Sequence, residues 1–151
     1  MQIIEVGDNE IEALSDLVKE LLIELEPDNT ATIENMPLYQ VAKSLFKSKK
    51  IWAYLVRHND ENLGIITLHE CAAIYAGGVF GEISELYVKP EHRSSKIGTL
   101  LLRCAVDKGR EMGWKRLEVG APPANISPKT IKFYERMGYK CTGPRLRYLL
   151  D

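Results

Sequence analysis

Apolar residues recur along the chain in two periods, and the switches between them mark its elements. "MQIIEV" reads as a first strand, closed by "GDN". Ile11, Leu14, Val18, Leu21, Leu22 and Leu25 then fall at helical spacing, with Asp8 or Asn9 as the N-cap. "EPDNTATIENMP" is loop by composition, and a shorter helix covers about 38–48, ending in a run of lysines. "IWAYLVRH" and "LGIITLHE" alternate as two strands joined by an "NDEN" turn. "YAGGVFG" reads as a turn or loop, and "EISELYVK" as the next strand, stopped by Pro90. Ile97, Leu100, Leu101, Cys104, Ala105 and Met112 share one helix face, and Gly113 sits where a C′ glycine belongs. "KRLEVG" is a further strand. Ser127 followed by Pro128 starts a helix, N-cap then N1, that stops at Gly138. "YKC" and "RLRYLL" finish the chain as strands around "TGP". The order is α/β in the broad, α+β sense: a mixed sheet of about seven strands with about four helices on it.

Length and composition narrow the possibilities. A chain of 151 residues points to a single domain, 1–151, long enough to bury a core without disulfides or a structural metal. With a formal net charge of −1, neither a nucleic-acid wrapper nor a polybasic membrane binder is expected, so an anion site must come from a local cluster. Cys71, Cys104 and Cys141 lie far apart, with no CxxC pair and no zinc spacing, so no metal is expected. Their odd count in apolar surroundings suggests reduced core thiols and a cytoplasmic setting. The first ten residues lack a basic n-region and an apolar h-region, and no apolar run approaches the roughly 18 residues that span a bilayer.

One local cluster stands out. In "HRSSKIG", Arg93, Ser94, Ser95 and Lys96 lead into a helix, and Gly98 lies in its first turn. A helix N-terminus offers unpaired backbone N–H groups and the positive end of a dipole, which suit a phosphate. From spacing alone, a pyrophosphate cradle and a solvated helix cap stand level. GxxxxGK[ST] and GxGxxG are both absent, which removes the P-loop and the dinucleotide fingerprint.

"LYVKPEHRSSKIGTLLL" resembles the acetyl-CoA-binding motif of the GNAT N-acetyltransferase superfamily, [RQ]-x-x-G-x-[GA] after a strand ending near Val-x-Pro. Arg93 matches the first position and Gly98 the last, while Lys96 stands where the family usually has its central glycine. "SPKTIKFYERMGYKCTG" is similar to the family's later motif, N-x-x-A-x-x-F-Y-x-x-x-G-[FY]. Phe133, Tyr134, Gly138 and Tyr139 agree; Ser127 replaces the asparagine and Thr130 the alanine. The motifs cover residues 79–143, and the element order extends the likeness over the chain as a mostly antiparallel GNAT-like acyl-CoA N-acyltransferase fold.

The resemblance implies an acetyl-CoA-dependent transfer to a primary amine by direct attack, with no covalent enzyme intermediate and no metal. It implies that the backbone of Leu86, Tyr87 and Val88 pairs with the pantetheine arm. It further implies that Arg93, Ser94, Ser95, Lys96, Ile97, Gly98 and Thr99 hold the pyrophosphate and that Ser127 and Tyr134 belong to the cofactor site. The chemistry asks for a base to deprotonate the amine and an acid to reprotonate the thiolate. Tyr134, a phenol with a reference pKa of about 10, fits the acid, with core packing as the plainer role. Glu85 and Glu82 are the candidate bases, against solvent-facing or ion-paired glutamates as the plainer reading; they face opposite sides of a regular strand unless a bulge intervenes. His69, Glu70 and His92 are weaker candidates. Glu26, Asp28, Glu34 and Glu82 would make the acceptor mouth acidic and attract a cationic amine, against solvated loop charges as the plainer reading. A small-molecule amine is the expected acceptor, since the chain shows no peptide-binding signature. A protein amine acceptor and a non-catalytic CoA-binding module are the alternatives. "RLRYLL" is apolar enough to pair across a homodimer or to close an internal sheet edge.

Overall fold

A computed structural model describes all residues 1–151 as two compact units, Met1–Glu118 and Val119–Asp151. The first unit begins with strand β1 (Gln2–Glu5), and after a short 3-10 turn helix α1 runs over Ile11–Leu25. The entry to α1 differs from expectation. Asp8 and Asn9 lie inside the 3-10 turn, and the Gly7 N–H donates to the Glu10 carboxylate at 3.0 Å. The segment read as loop also holds a one-turn helix, α2 (Thr30–Glu34), anchored by buried Ile33. Helix α3 (Leu38–Lys47) follows.

Strands β2 (Ile51–His58), β3 (Glu61–Ala73) and β4 (Gly78–Val88) form an antiparallel meander. Asn59 and Asp60 turn the first hairpin, both in the left-handed region that two-residue hairpin turns favour. Helix α4 (Ile97–Met112) ends on Gly113 at φ 73°, as its position predicts. Strand β5 (Leu117–Val119) completes a five-stranded sheet of order β1-β2-β3-β4-β5.

Both faces of the sheet are covered. On one, Leu14 and Leu17 of α1 pack with Ala53, Leu55, Ile65 and Tyr87. The other carries Ile66 and Leu68, which alternate with Ile65 along β3, and the buried face of α4 is Ile97, Leu101, Leu102 and Ala105. Lys108 is also buried on α4, its ammonium 3.1 Å from both Glu5 and Glu111. Gly81 is required where it stands: a Cβ there would lie 2.2 Å from the Trp114 ring. That indole meets Trp52 edge to face at 5.6 Å and donates to Glu70 at 2.7 Å.

The second unit holds α5 (Pro128–Arg136), with Ser127 at its N-cap and Pro128 at N1 as read from the sequence. The two expected C-terminal strands are absent. Residues 140–151 carry no regular secondary structure and are exposed, with Gly143 at φ 139° and Pro144 interrupting the segment, so the strand count is five instead of seven. Five helices replace the expected four, α2 being the addition. All three cysteines are free; Cys71 and Cys104 are half-buried, but Cys141 is exposed and is no core thiol. No helix is long and apolar enough to cross a membrane.

Candidate active site

The centre of the site is an irregularity in the β3–β4 ladder. Thr67 pairs with Glu85 and Leu68 with Ile83, so Ser84 is an extra residue on β4. A regular strand would turn residues 82 and 85 to opposite faces. The bulge restores their phase: His69 opposes Glu82, Thr67 opposes Glu85, and positions 67 and 69 share a face. The two candidate carboxylates therefore line one side of the sheet, the side that α1 covers.

Glu85 is held by one side chain twice over. Its backbone N–H donates to Thr67 Oγ1 at 3.0 Å, and the Thr67 hydroxyl donates to the Glu85 carboxylate. Burial pushes the Glu85 carboxyl above its usual range. A carboxylate tuned upwards suits a base working near neutral pH. Glu82 is engaged differently. His69 Nε2 lies 3.6 Å and Cys71 Sγ 3.7 Å from the same Glu82 oxygen, and His69 Nδ1 lies 2.8 Å from Ser84 Oγ. Thr67, Cys71 and Ser84 carried no signal in the sequence, because what makes them neighbours of the glutamates is register.

Of the weaker candidates, Glu70 points to the opposite face and accepts from the Trp114 indole, a packing role. His92 lies 3.7 Å from Glu61. Glu26, Asp28 and Glu34 are exposed on the segment around α2, and Glu26 accepts from the Asn29 amide nitrogen at 2.9 Å.

The turn after β4 delivers main-chain donors. Leu100 N–H to Lys96 O, at 3.0 Å, is the first i to i−4 bond of α4, so the amides of Ile97, Gly98 and Thr99 are the unpaired donors of a helix start. Lys96 forms the N-cap in the left-handed region, φ 64° and ψ 14°. That accounts for a glycine being usual in the resembling motif: the turn needs a conformation glycine adopts without strain. The lysine accepts the strain, and its side chain is exposed.

Arg93 braces the turn. Its Nε donates to Val88 O at 2.9 Å, its NH2 group lies 2.6 Å from Glu24 of α1, and its guanidinium lies 5.7 Å from the Tyr87 ring centre. Ser95 donates to the His92 carbonyl. Tyr87 is pushed up to about 12, by burial first and then by Glu20 and Glu24, so it stays a neutral packing phenol. Leu86, Tyr87 and Val88 end β4, while the bonds joining β4 to the segment before β5, Lys115 N–H to Val79 O and Gly81 N–H to Arg116 O, sit at its other end.

In the second unit, Tyr134 is buried between Phe133 and Tyr139, with ring centres 5.5 Å from each. Burial first and the neighbouring Tyr139 second push its phenol up to about 12. It therefore keeps its proton throughout the neutral range. The Ser127 hydroxyl lies 2.7 Å from the Thr130 hydroxyl and makes no bond to the helix backbone.

Comparison with known proteins bears on this arrangement. The aminoalkylphosphonate N-acetyltransferase of Salmonella typhimurium (strain LT2) is 37% identical over 87 residues, a stretch covering 57% of this chain and 54% of the relative. The match thus spans about half the length of that curated relative. An aminoglycoside acetyltransferase from an uncultured soil metagenomic sample has the same fold at a TM-score of 0.82 and 19% identity, over 99% of this chain and 98% of that one. A GCN5-related N-acetyltransferase from Ralstonia eutropha JMP134 gives 0.81 and 18%, over 99% of both chains. Residues 14–139 match the sequence profile of the acetyltransferase (GNAT) family, a span that takes in the bulged strand, the basic turn and Tyr134 alike, and the chain belongs to that family.

Proposed function

We propose that the chain, acting as a single domain, transfers an acetyl group from acetyl-CoA to the primary amine of a small molecule by direct attack. The observation that carries this reading is a half-buried glutamate with a raised pKa on the strand that leads, through the turn of residues 89–96, to a helix start with three unpaired amides. The residues present fit acetyl-CoA. Ile97, Gly98 and Thr99 would bind its diphosphate through N–H groups, and the Lys96 ammonium would add a counter-charge. Val88 O is already taken by Arg93, and Tyr87 faces Ile65 in a hydrogen-bonded pair of the ladder, which leaves Leu86 and the Val88 N–H as the backbone partners for a pantetheine arm. The co-substrate would supply an acetyl group activated as a thioester.

Glu85 takes the proton that the amine must lose, and Thr67 fixes the position of its carboxylate. Tyr134, neutral up to about 12, returns a proton to the departing sulfur. The Salmonella relative's name specifies an amine on a small, anionic molecule. That supports a small-molecule acceptor over a protein amine.

Thiol release from acetyl-CoA is the test, run over a panel of primary amines that includes an aminoalkylphosphonate. The reading expects turnover of at least one small amine, with kcat/KM lowered about 10²–10⁴-fold in Glu85→Gln and kcat lowered in Tyr134→Phe. Saturable CoA binding without turnover on the whole panel would favour the non-catalytic module.

A further inference from the structure

We propose that His69, Cys71 and Glu82 form a binding site for one zinc-like divalent cation on the β3–β4 ladder. The inference stands apart from amine acetylation and holds whether or not the chain performs it. His69 and Cys71 are two residues apart on β3 and so project to one face, while the ladder places Glu82 directly opposite His69. Their ligand atoms all lie within 4.8 Å of one another, and all three residues are half-buried.

Two of the separations are already close to those of a metal centre: Nε2 to Oε2 is 3.6 Å and Sγ to Oε2 is 3.7 Å. A four-coordinate ion with the usual Zn–N, Zn–O and Zn–S lengths sets ligand atoms about 3.3–3.6 Å apart. The third pair, His69 and Cys71, lies within 4.8 Å and would draw together by up to about an ångström around an ion.

The orientation of the imidazole is the second argument. His69 Nδ1 sits 2.8 Å from Ser84 Oγ, and Ser84 is the residue the bulge inserts. In the tautomer that donates its Nδ1 proton to that hydroxyl, the Nε2 lone pair faces the Glu82 oxygen, and both can ligate one cation. A ligating histidine whose other ring nitrogen is tied down in this way is the usual arrangement around protein-bound metals.

The donor set selects the ion. A thiolate, an imidazole and a carboxylate suit Zn²⁺ or Co²⁺, whereas Mg²⁺ and Ca²⁺ want oxygen ligands throughout. Binding releases the Cys71 thiol proton to solvent as the S–metal bond forms, so the site gains one negative ligand for the cation's charge. Three protein ligands leave a fourth position for a water oxygen. A second cluster, Glu61, Glu91 and His92, has no thiol and two exposed members, and it serves as the control.

The experiment titrates Co²⁺ into the purified, chelator-stripped full chain and follows its absorption spectrum. The proposal expects saturation at a single equivalent, visible bands of four-coordinate intensity and a near-ultraviolet thiolate-to-cobalt band, all removed by competing Zn²⁺. Cys71→Ser abolishes the charge-transfer band. Glu82→Gln and His69→Ala weaken affinity, and Ser84→Ala weakens it by about 10–100-fold while keeping the band, as the loss of an orienting partner does. Cys141→Ser and Glu61→Gln leave the titration unchanged. Absence of saturable uptake, or a charge-transfer band that survives in Cys71→Ser, overturns the proposal.

Discussion

At position 96 the backbone demands a conformation that the side chain resists. An L-residue in the left-handed region costs roughly 1–2 kcal/mol, of which glycine would recover a part after its own entropy loss on folding. Lys96→Gly should therefore raise the free energy of unfolding by about 1 kcal/mol, measured by urea denaturation. An unchanged or lower stability would show that the lysine is not strained there. The sequence marks Lys96 as a departure from the motif, but only the observed φ of 64° shows that the cost falls on the backbone.

Glu85 makes a prediction with a definite sign. Its folded pKa is raised above 4.5 by burial, so the folded state prefers the protonated acid. The stability that preference contributes is complete below the unfolded pKa and is lost as pH rises through the folded one. Glu85→Gln should consequently gain on the wild type as the buffer is taken from about pH 4 to about pH 7, each measured by denaturant titration. A gap that stays constant across that range would mean that burial does not perturb this carboxyl. Choosing between Glu82 and Glu85 was beyond the sequence, since both are glutamates on one strand and nothing in "GEISELYV" names the bulged residue.

At the scale of elements, hydrophobic period located β2, α4 and α5 closely, because each must bury a face. But β3 continues past "LGIITLHE" to Ala73 and β4 begins at Gly78, inside the stretch expected as turn or loop, where the ladder itself extends the hairpin. The period failed at the C-terminus, where "RLRYLL" has the composition of a strand and yet lies exposed without one. Composition cannot supply the partner that a strand needs. The converse holds at Gly81. Its importance comes from the closeness of Trp114, a residue 33 positions later that packs on β4. Gly81→Ala forces a methyl into that ring and should cost about 1–3 kcal/mol, with a shift in tryptophan emission as the Trp52–Trp114 pair moves apart. Wild-type stability and emission in Gly81→Ala would mean that the strand yields there at no cost.

For the whole molecule, fold class and family were legible because two motifs stand at the right separation in the right order. The geometry of the site was less so. Thr67, Ser84 and Cys71 acquire their roles from the pairing of β3 with β4, and Glu24 from its contact with Arg93 across 69 residues of sequence. The central claim is that the start of α4 presents its unpaired amides to a diphosphate. The most direct measurement is an amide NMR titration of the ¹⁵N-labelled chain with CoA. The account predicts saturable shifts that are largest at Ile97, Gly98 and Thr99, while CoA lacking its diphosphate leaves them in place. Saturable shifts centred elsewhere, or none at these three amides, would contradict it.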